Sequence, residues 1–513
     1  MINLFVKRVS LLSLALAGSF VWLCAQVQAA DYEWRGVGTE SYQDMDSACI
    51  AGAKKWSAAN KYKFISSHFQ AYLTQASAQC STTYDKGKVS TNSSYNAFKI
   101  YRSGNGCTPP KVYNLTTGAC GNDLHKGEEP LSCSAGLASA IPTVFSGNPI
   151  NFSTGNKFQS ESDYSAGNDS LLQFVRSYNS FDALWRHNYS TSLRIAVFKS
   201  TIYVSLVMAS GREIFFTVNG ATVTPNSIGL GQLVRLADGW QYTSENNDRY
   251  IFDTAGRMIN WSNASGYFQQ FSYTGNQIIV TDNLGQSLTF TEDAEHQPLT
   301  LTGPGAQITY SYDANRRLVA VSRTLAGQTS LREFHYEDSR NNGLLTGITD
   351  ERGVRYATWS YDDQGRAISS EHANGAERIA IEYKSDGGAS VTNELGKVTS
   401  YQFQTILGVK RIIAIKGEPS ANCPNSNSTF TYDDRGLLKT KTDNKGNLTT
   451  YDYNTRGLET SRTEAAGTSQ ARTIITEWHP TLFLPVTVTE PARITSYTYD
   501  AQGRRLSQSV TQR

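Results

Sequence analysis

Nothing in this sequence has the spacing of a metal centre, a nucleophile or a nucleotide cradle. The seven histidines (His68, His125, His187, His296, His335, His372 and His479) stand singly, and none belongs to a His-Glu-x-x-His pair or a comparable ligand pattern. A Gly-x-Ser-x-Gly elbow, a Walker loop and a dinucleotide fingerprint are all missing. Charge is scarce too: 18% of residues are charged and the formal net charge is +2, so no field draws the chain to nucleic acid or to an anionic membrane. Methionine is rare, with four residues, and no two cysteines have the Cys-x-x-Cys spacing of a zinc knuckle. These absences lead to the expectation of a non-enzymatic protein without cofactor, metal or nucleic-acid partner. Arg186-His187 is the one pair that invites a catalytic reading. With no nucleophile motif nearby, it reads better as a packed, hydrogen-bonded histidine beside Trp185.

Only one long apolar run is present, and it stands at the start. Lys7 and Arg8 precede an almost wholly apolar stretch from Leu11 to Leu23, and small residues follow at Gln28-Ala29-Ala30. This is the pattern of a cleaved secretory leader over residues 1–29. The run is shorter than the roughly 20 residues of a spanning helix, and Asp31-Tyr32-Glu33 follows without a basic stop-transfer cluster. Leu23 is too bulky for the small residue that precedes a lipid-bearing cysteine, so Cys24 leaves with the leader. The mature chain is therefore expected to be exported, to periplasm, cell surface or medium, with no membrane span of its own.

What the sequence has in quantity is glycine and aromatics, with 41 Gly, 28 Tyr and 21 Phe. Glycine serves tight turns and aromatics favour a pleated, half-buried surface, so the fold class is mainly β. Cys49, Cys80, Cys107, Cys120 and Cys133 cluster near the N-terminus and Cys423 stands alone. In an exported chain they are candidate disulfides, with either one left free or Cys423 reaching back to the cluster. Met45, Cys49, Ala53 and Trp56 recur at steps of four, four and three, which places a helix between Ser41 and Trp56. The stretches around Lys61–Ile65 and Tyr95–Tyr101 read as strands. Residues 30–125 thus form a small disulfide-tied α+β module, and 126–146, rich in Gly, Ser, Ala and Pro, a linker.

From residue 147 on, two patterns carry a resemblance. Gly147-Asn148-Pro149-Ile150-Asn151-Phe152-Ser153-Thr154-Gly155, then Leu171 to Tyr178 and Trp185-Arg186-His187-Asn188-Tyr189, resemble the segment that introduces the repeats in Rhs-family polymorphic toxins. It is assigned to residues 147–245. Over 246–513 one motif returns, outlined by Asp253 with Gly256, Tyr312-Asp313, Tyr361-Asp362 with Gly365 and Arg366, Tyr432-Asp433 with Gly436, Tyr451-Asp452 with Gly457, and Tyr499-Asp500 with Gly503. This is similar to the YD repeat. A second element, such as Asp282-Asn283-Leu284-Gly285 and Asp443-Asn444-Lys445-Gly446, alternates with it. In each turn the Asp can accept a backbone N–H two residues on and the Gly can take positive φ, so the strand reverses. Repeated Asp can also mean calcium, but each turn here offers one or two oxygen ligands where calcium loops supply several. A ladder of such hairpins must stack to bury its aromatics, and its twist makes a spiral or shell.

The resemblance implies a scaffold that encloses or presents a toxin in competition between bacteria. It also implies a second chain completing the shell, or a toxin or immunity neighbour. The core and toxin region that follows the repeats in full-length Rhs members is not found before Arg513. The alternative function is a secreted adhesin that binds carbohydrate or a cell surface through the N-terminal module and exposed tyrosines.

Overall fold

The structure is a computed structural model, and it describes residues 33–36, 40–42, 45–60, 63–74, 77–85, 92–103, 112–113, 120–121, 126–127, 142–167, 170–198, 201–225, 231–293, 296–418 and 426–513. The residues read as a leader, 1–29, and Cys107, Cys133 and Cys423 lie outside them.

Period-two alternation builds most of what is described. In Ser287–Glu292, Leu288 and Phe290 are buried while Ser287, Thr289 and Thr291 turn outward. The flanking strands Gln277–Asp282 and Pro298–Gly303 set Ile278 and Leu301 opposite Phe290, so one face is a continuous apolar layer. Twenty-six strands, from Gln232–Leu236 to Arg505–Gln512, pair each with the next in a single antiparallel sheet. The array begins at Gln232, ahead of the boundary at 246 read from the repeats, because its first strands lack the Tyr-Asp turn.

The turns follow from side-chain chemistry. Asp362 Oδ1 accepts the N–H of Gln364 at 2.9 Å and of Arg366 at 3.0 Å, and its Oδ2 accepts Arg366 Nε at 2.7 Å. Gly365, at φ +73°, donates its N–H to the Asp362 carbonyl. A bulge follows, since Ser360 faces Ser369 but Tyr361 faces Ala367, as in a type I turn closed by a left-handed residue. Asp253, Asp313, Asp433 and Asp500 accept the same pair of N–H groups. Gly256, Gly436 and Gly503 supply the positive φ, and Arg316 does so where glycine is missing. At Gly256 close approach adds a second demand: a Cβ there would lie 2.1 Å from the Leu193 carbonyl, which accepts no intruder because Leu193 donates its own N–H to Gly256.

The repeat tyrosines staple neighbouring hairpins. The hydroxyls of Tyr312, Tyr361, Tyr432 and Tyr499 donate to the carbonyls of Pro298, Leu345, Ile412 and Pro485 at 2.6–2.8 Å. Tyr451 and Asp452 are the exception. They lie inside the strand Leu448–Tyr453, with Asp452 opposite Ser461, and the turn is made by Asn454, which accepts the N–H of Arg456 and Leu458. Tyr451 points inward and is buried, so alternation delays the reversal by two residues, and Tyr453-Asn454 is the working repeat.

Asp362→Ala removes two acceptor oxygens and the three hydrogen bonds they take in one turn, and is expected to cost about 1–2 kcal/mol. Asp434→Ala, at a solvent-exposed turn position, is expected to stay within about 0.5 kcal/mol. Urea unfolding of the two variants checks the difference.

Smaller sheets precede the array. Phe158–Ser165, Gln173–Asn179 and Leu184–His187 form a three-stranded sheet, and Ser192–Phe198, Thr201–Val207, Glu213–Asn219 and Thr222–Pro225 a four-stranded one. What reads in the sequence as one β segment is thus an inner sheet, an adjoining sheet and the first array strands. In the N-terminal module the helix Met45–Ala59 lies against a five-stranded sheet, and Cys49 on the helix is bonded to Cys80 on the strand Ser77–Asp85. Cys120 is disulfide-bonded as well. Trp34, Met45, Cys49, Cys80 and Ile100 bury together with Ala196 of the four-stranded sheet, which seats the module on it. Lys126 and Gly127, in the stretch read as a linker, are pinned down: Lys126 pairs with Asp182 at 3.0 Å and the Gly127 N–H donates to Asn179 Oδ1 at 2.7 Å.

Candidate functional site: the inner segment against the strand wall

Residues 144–167 and 170–190 lie against the buried face of the array, sharing its core. Followed along the array, the contacts come first from residues 170–185 and then from residues 148–152. Ser170 meets Asp282, Phe174 meets Phe290, Trp185 meets Phe334, Asn148 meets Trp359, and Phe152 meets Tyr401 at a ring separation of 4.3 Å. One connected core runs from Val144 to Tyr451 through both. Further round, the sheet returns on itself. The Asn247 side chain accepts the Phe483 N–H at 2.8 Å and Arg249 donates to the Ala501 carbonyl at 2.6 Å, so strands near the start of the array touch those near its end.

Charged residues placed at inward positions of apolar strands lock the segment to the wall. In Phe158–Ser165, Glu161 and Asp163 both point inward and are buried. Asp163 pairs with Arg176 of the next inner strand, accepts the Tyr310 hydroxyl at 2.8 Å and pairs with Arg323 at 2.6 Å. Burial opposes its ionisation, but Arg176 and Arg323 outweigh that and hold its carboxyl below the usual range. Glu161 pairs with Arg332, which also meets Glu351 at 2.9 Å, and Glu351 returns to Arg323 at 3.0 Å. The Arg176 guanidinium is stacked among Trp185, Tyr310 and Phe334 at 4.7–5.5 Å.

His187, on the inner strand Leu184–His187, meets the wall in the same way. It is fully buried, its Nε2 lies 2.8 Å from Glu292 and its Nδ1 accepts the Tyr189 N–H at 3.3 Å. Burial lowers its pKa against the opposing pull of Glu292, so the neutral ring donates to the carboxylate. Phe174 and Phe290 enclose the imidazole at about 5 Å. Arg186 points elsewhere, to Asp182 at 2.7 Å. The two side chains bond to different acids, Glu292 and Asp182, and each ties its strand to a neighbouring element.

Glu459 is a buried acid of a different kind. Its Oε2 has no hydrogen-bond partner, and burial pushes its pKa up to about 7, only partly offset by Arg462. A carboxyl raised above its unfolded value contributes stability that is present below about pH 4.3 and lost as pH rises through about 7. Glu459→Gln is therefore expected to raise stability by about 1–2 kcal/mol at pH 8 and to change it little near pH 4.5. Equal effects at both pH values in urea unfolding would contradict this.

Known families match in the same order as these parts. A domain of unknown function, DUF6531, matches residues 147–216, the Teneurin YD-shell 241–410 and the RHS Repeat 432–469. Human and mouse Teneurin-4 are each 28% identical over 147 residues, which is 28% of this chain and 5% of theirs. The chain thus spans a small part of the curated relatives it matches. Among solved structures, TcdB2-TccC3 with Cdc42 is similar at 12% identity and a TM-score of 0.30, covering 67% of this chain and 20% of that one. The Photorhabdus luminescens Tc holotoxin pore is similar at 12% identity and a TM-score of 0.29, covering 72% and 19%. With the Teneurin YD-shell and RHS Repeat matched in turn along the 26-stranded sheet and DUF6531 matched on the segment ahead of it, this chain belongs to the Rhs/YD-repeat family.

Proposed function

We propose that the chain is a non-enzymatic, exported scaffold: one braced turn of shell wall that, together with a second polypeptide, encloses or presents a toxin in competition between bacteria. The observation that carries this reading is the wall itself. Twenty-six strands in unbroken sequence order, wrapped round an inner segment and touching near their two ends, make a rigid curved surface rather than a pocket. No helix among the described residues is long and apolar enough to cross a membrane, and the leader read in residues 1–29 would deliver the chain across one. The strand Arg505–Gln512 is exposed along its whole length, with Leu506 at 68% and Val510 at 53%. An exposed edge of this kind is a template for further strands, and the second polypeptide is assigned to it.

Light scattering on the mature chain, alone and mixed with the product of the neighbouring reading frame, tests the assignment. A stable complex that is lost with Ser509→Pro supports it. A chain that stays monomeric with that partner removes the two-chain shell.

A further inference from the structure

Two strand edges border one groove with no strand between them. Thr222–Pro225 ends the four-stranded sheet, Gln232–Leu236 begins the 26-stranded one, and among the described residues the outer edge of neither is paired. Ala221, Val223 and Pro225 line one side of the groove and Gly231 to Arg235 the other. Its volume is about 460 Å³, within the range of sites that hold a bound ligand. Phe216 and Phe483 close its apolar end, and Val234 is 49% exposed beside them.

The charges along the groove are of one sign. Arg235 and Arg456 line it and, among the described residues, no carboxylate does. Arg456 donates to the carbonyls of His479, Pro480 and Leu482, with its guanidinium over the Phe483 ring at 4.9 Å. Its Nε is buried without a hydrogen-bond partner. Arg235 rests on Trp240 at 5.7 Å. Two arginines without a countercharge favour an acidic occupant. Bare backbone on an edge strand favours a peptide over a small apolar ligand, because unpaired N–H and C=O groups are satisfied by another strand. Pro225 lacks an N–H, so the side that can take a strand is Gln232–Leu236.

We propose that this groove receives an extended segment of a partner polypeptide, added antiparallel to Gln232–Leu236, with apolar residues at alternate positions and an acidic side chain facing Arg235. Strand addition supplies affinity through main-chain hydrogen bonds and selectivity through alternate side chains. This inference stands apart from the shell reading, since it concerns an edge internal to the chain.

The test is fluorescence anisotropy of the full mature chain with a peptide, Thr-Val-Glu-Val-Thr-Val-Thr, labelled with fluorescein on its α-amine and amidated at its C-terminus. Saturable binding is expected, and methylating alternate backbone nitrogens of the peptide should abolish it. Arg235→Glu, at an exposed position, should weaken binding about tenfold, and replacing the peptide's Glu by Lys should restore it. Val223→Trp, which fills the groove, should also reduce binding, with thermal melts confirming that both variants fold. Absence of binding, equal binding of the methylated peptide, or indifference to Arg235→Glu would each overturn the proposal.

Discussion

Asp163→Ala is expected to lower the unfolding free energy by about 3–5 kcal/mol, the cost of breaking a buried ion pair from one side. Asp163 and Arg176 are both fully buried, and Arg323, at 13% exposure, shares the same carboxylate. Removing it leaves the Arg176 guanidinium without its carboxylate, Arg323 with Glu351 alone, and the Tyr310 hydroxyl without its acceptor. Replacing Asp163 and Arg176 together by apolar residues of similar size should recover much of the loss, because no charge is then stranded. The pair also sets an acid limit. The Asp163 pKa is lowered in the fold, so its contribution is present above about pH 4 and is lost as pH falls through the folded value. Urea titrations at pH 7 and at acid pH would show the Asp163→Ala penalty shrinking with acidification.

Trp185→Ala should cost about 3–5 kcal/mol by a different route, an unfilled cavity in the core. Trp185 is fully buried, with Phe334 at 5.0 Å, Tyr178 at 5.4 Å and the Arg176 guanidinium over its ring. Its Nε1 donates to the Tyr336 hydroxyl at 2.9 Å. Truncation would lose the stacking as well as the volume, and would free Tyr336 in the wall. Leu395→Ala, at a position 85% exposed, serves as the comparison and should stay within about 0.5 kcal/mol. Equal effects of the two changes would mean that the inner segment does not hold the wall.

The hairpin array is legible in sequence because its information is local. Asp362, Gly365 and Arg366 sit within five residues, and each acts on backbone inside that span. The helix in the N-terminal module is legible for the same reason, through the spacing of Met45, Cys49 and Ala53. Tyr451-Asp452 misleads because two Tyr-polar pairs stand two residues apart, and only burial of Tyr451 decides between them. The bracing site has no local signature of this kind. Asp163 and Arg323 are 160 residues apart in the chain, and Glu161 and Arg332 are 171 apart. Pairings at such separations depend on how far the sheet has coiled, which no window of sequence contains. A partial signal did exist, since Ser160-Glu161-Ser162-Asp163-Tyr164 puts two acids at alternate positions leading into a core tyrosine. Acids on the inward face of a strand call for buried partners, though not for named ones. The groove beside Gln232–Leu236 was equally hidden, because a strand's edge shows only once its neighbours are known.

The central claim is that the inner segment and the strand wall are one cooperative body. Native-state hydrogen exchange in increasing denaturant tests it most directly, by comparing amides of Gln173–Asn179 with those of Ala306–Tyr312. The account predicts that both sets open with the same free energy and that Asp163→Ala lowers both together. Exchange of the inner strand at far lower free energy, while the wall stays protected, would contradict it.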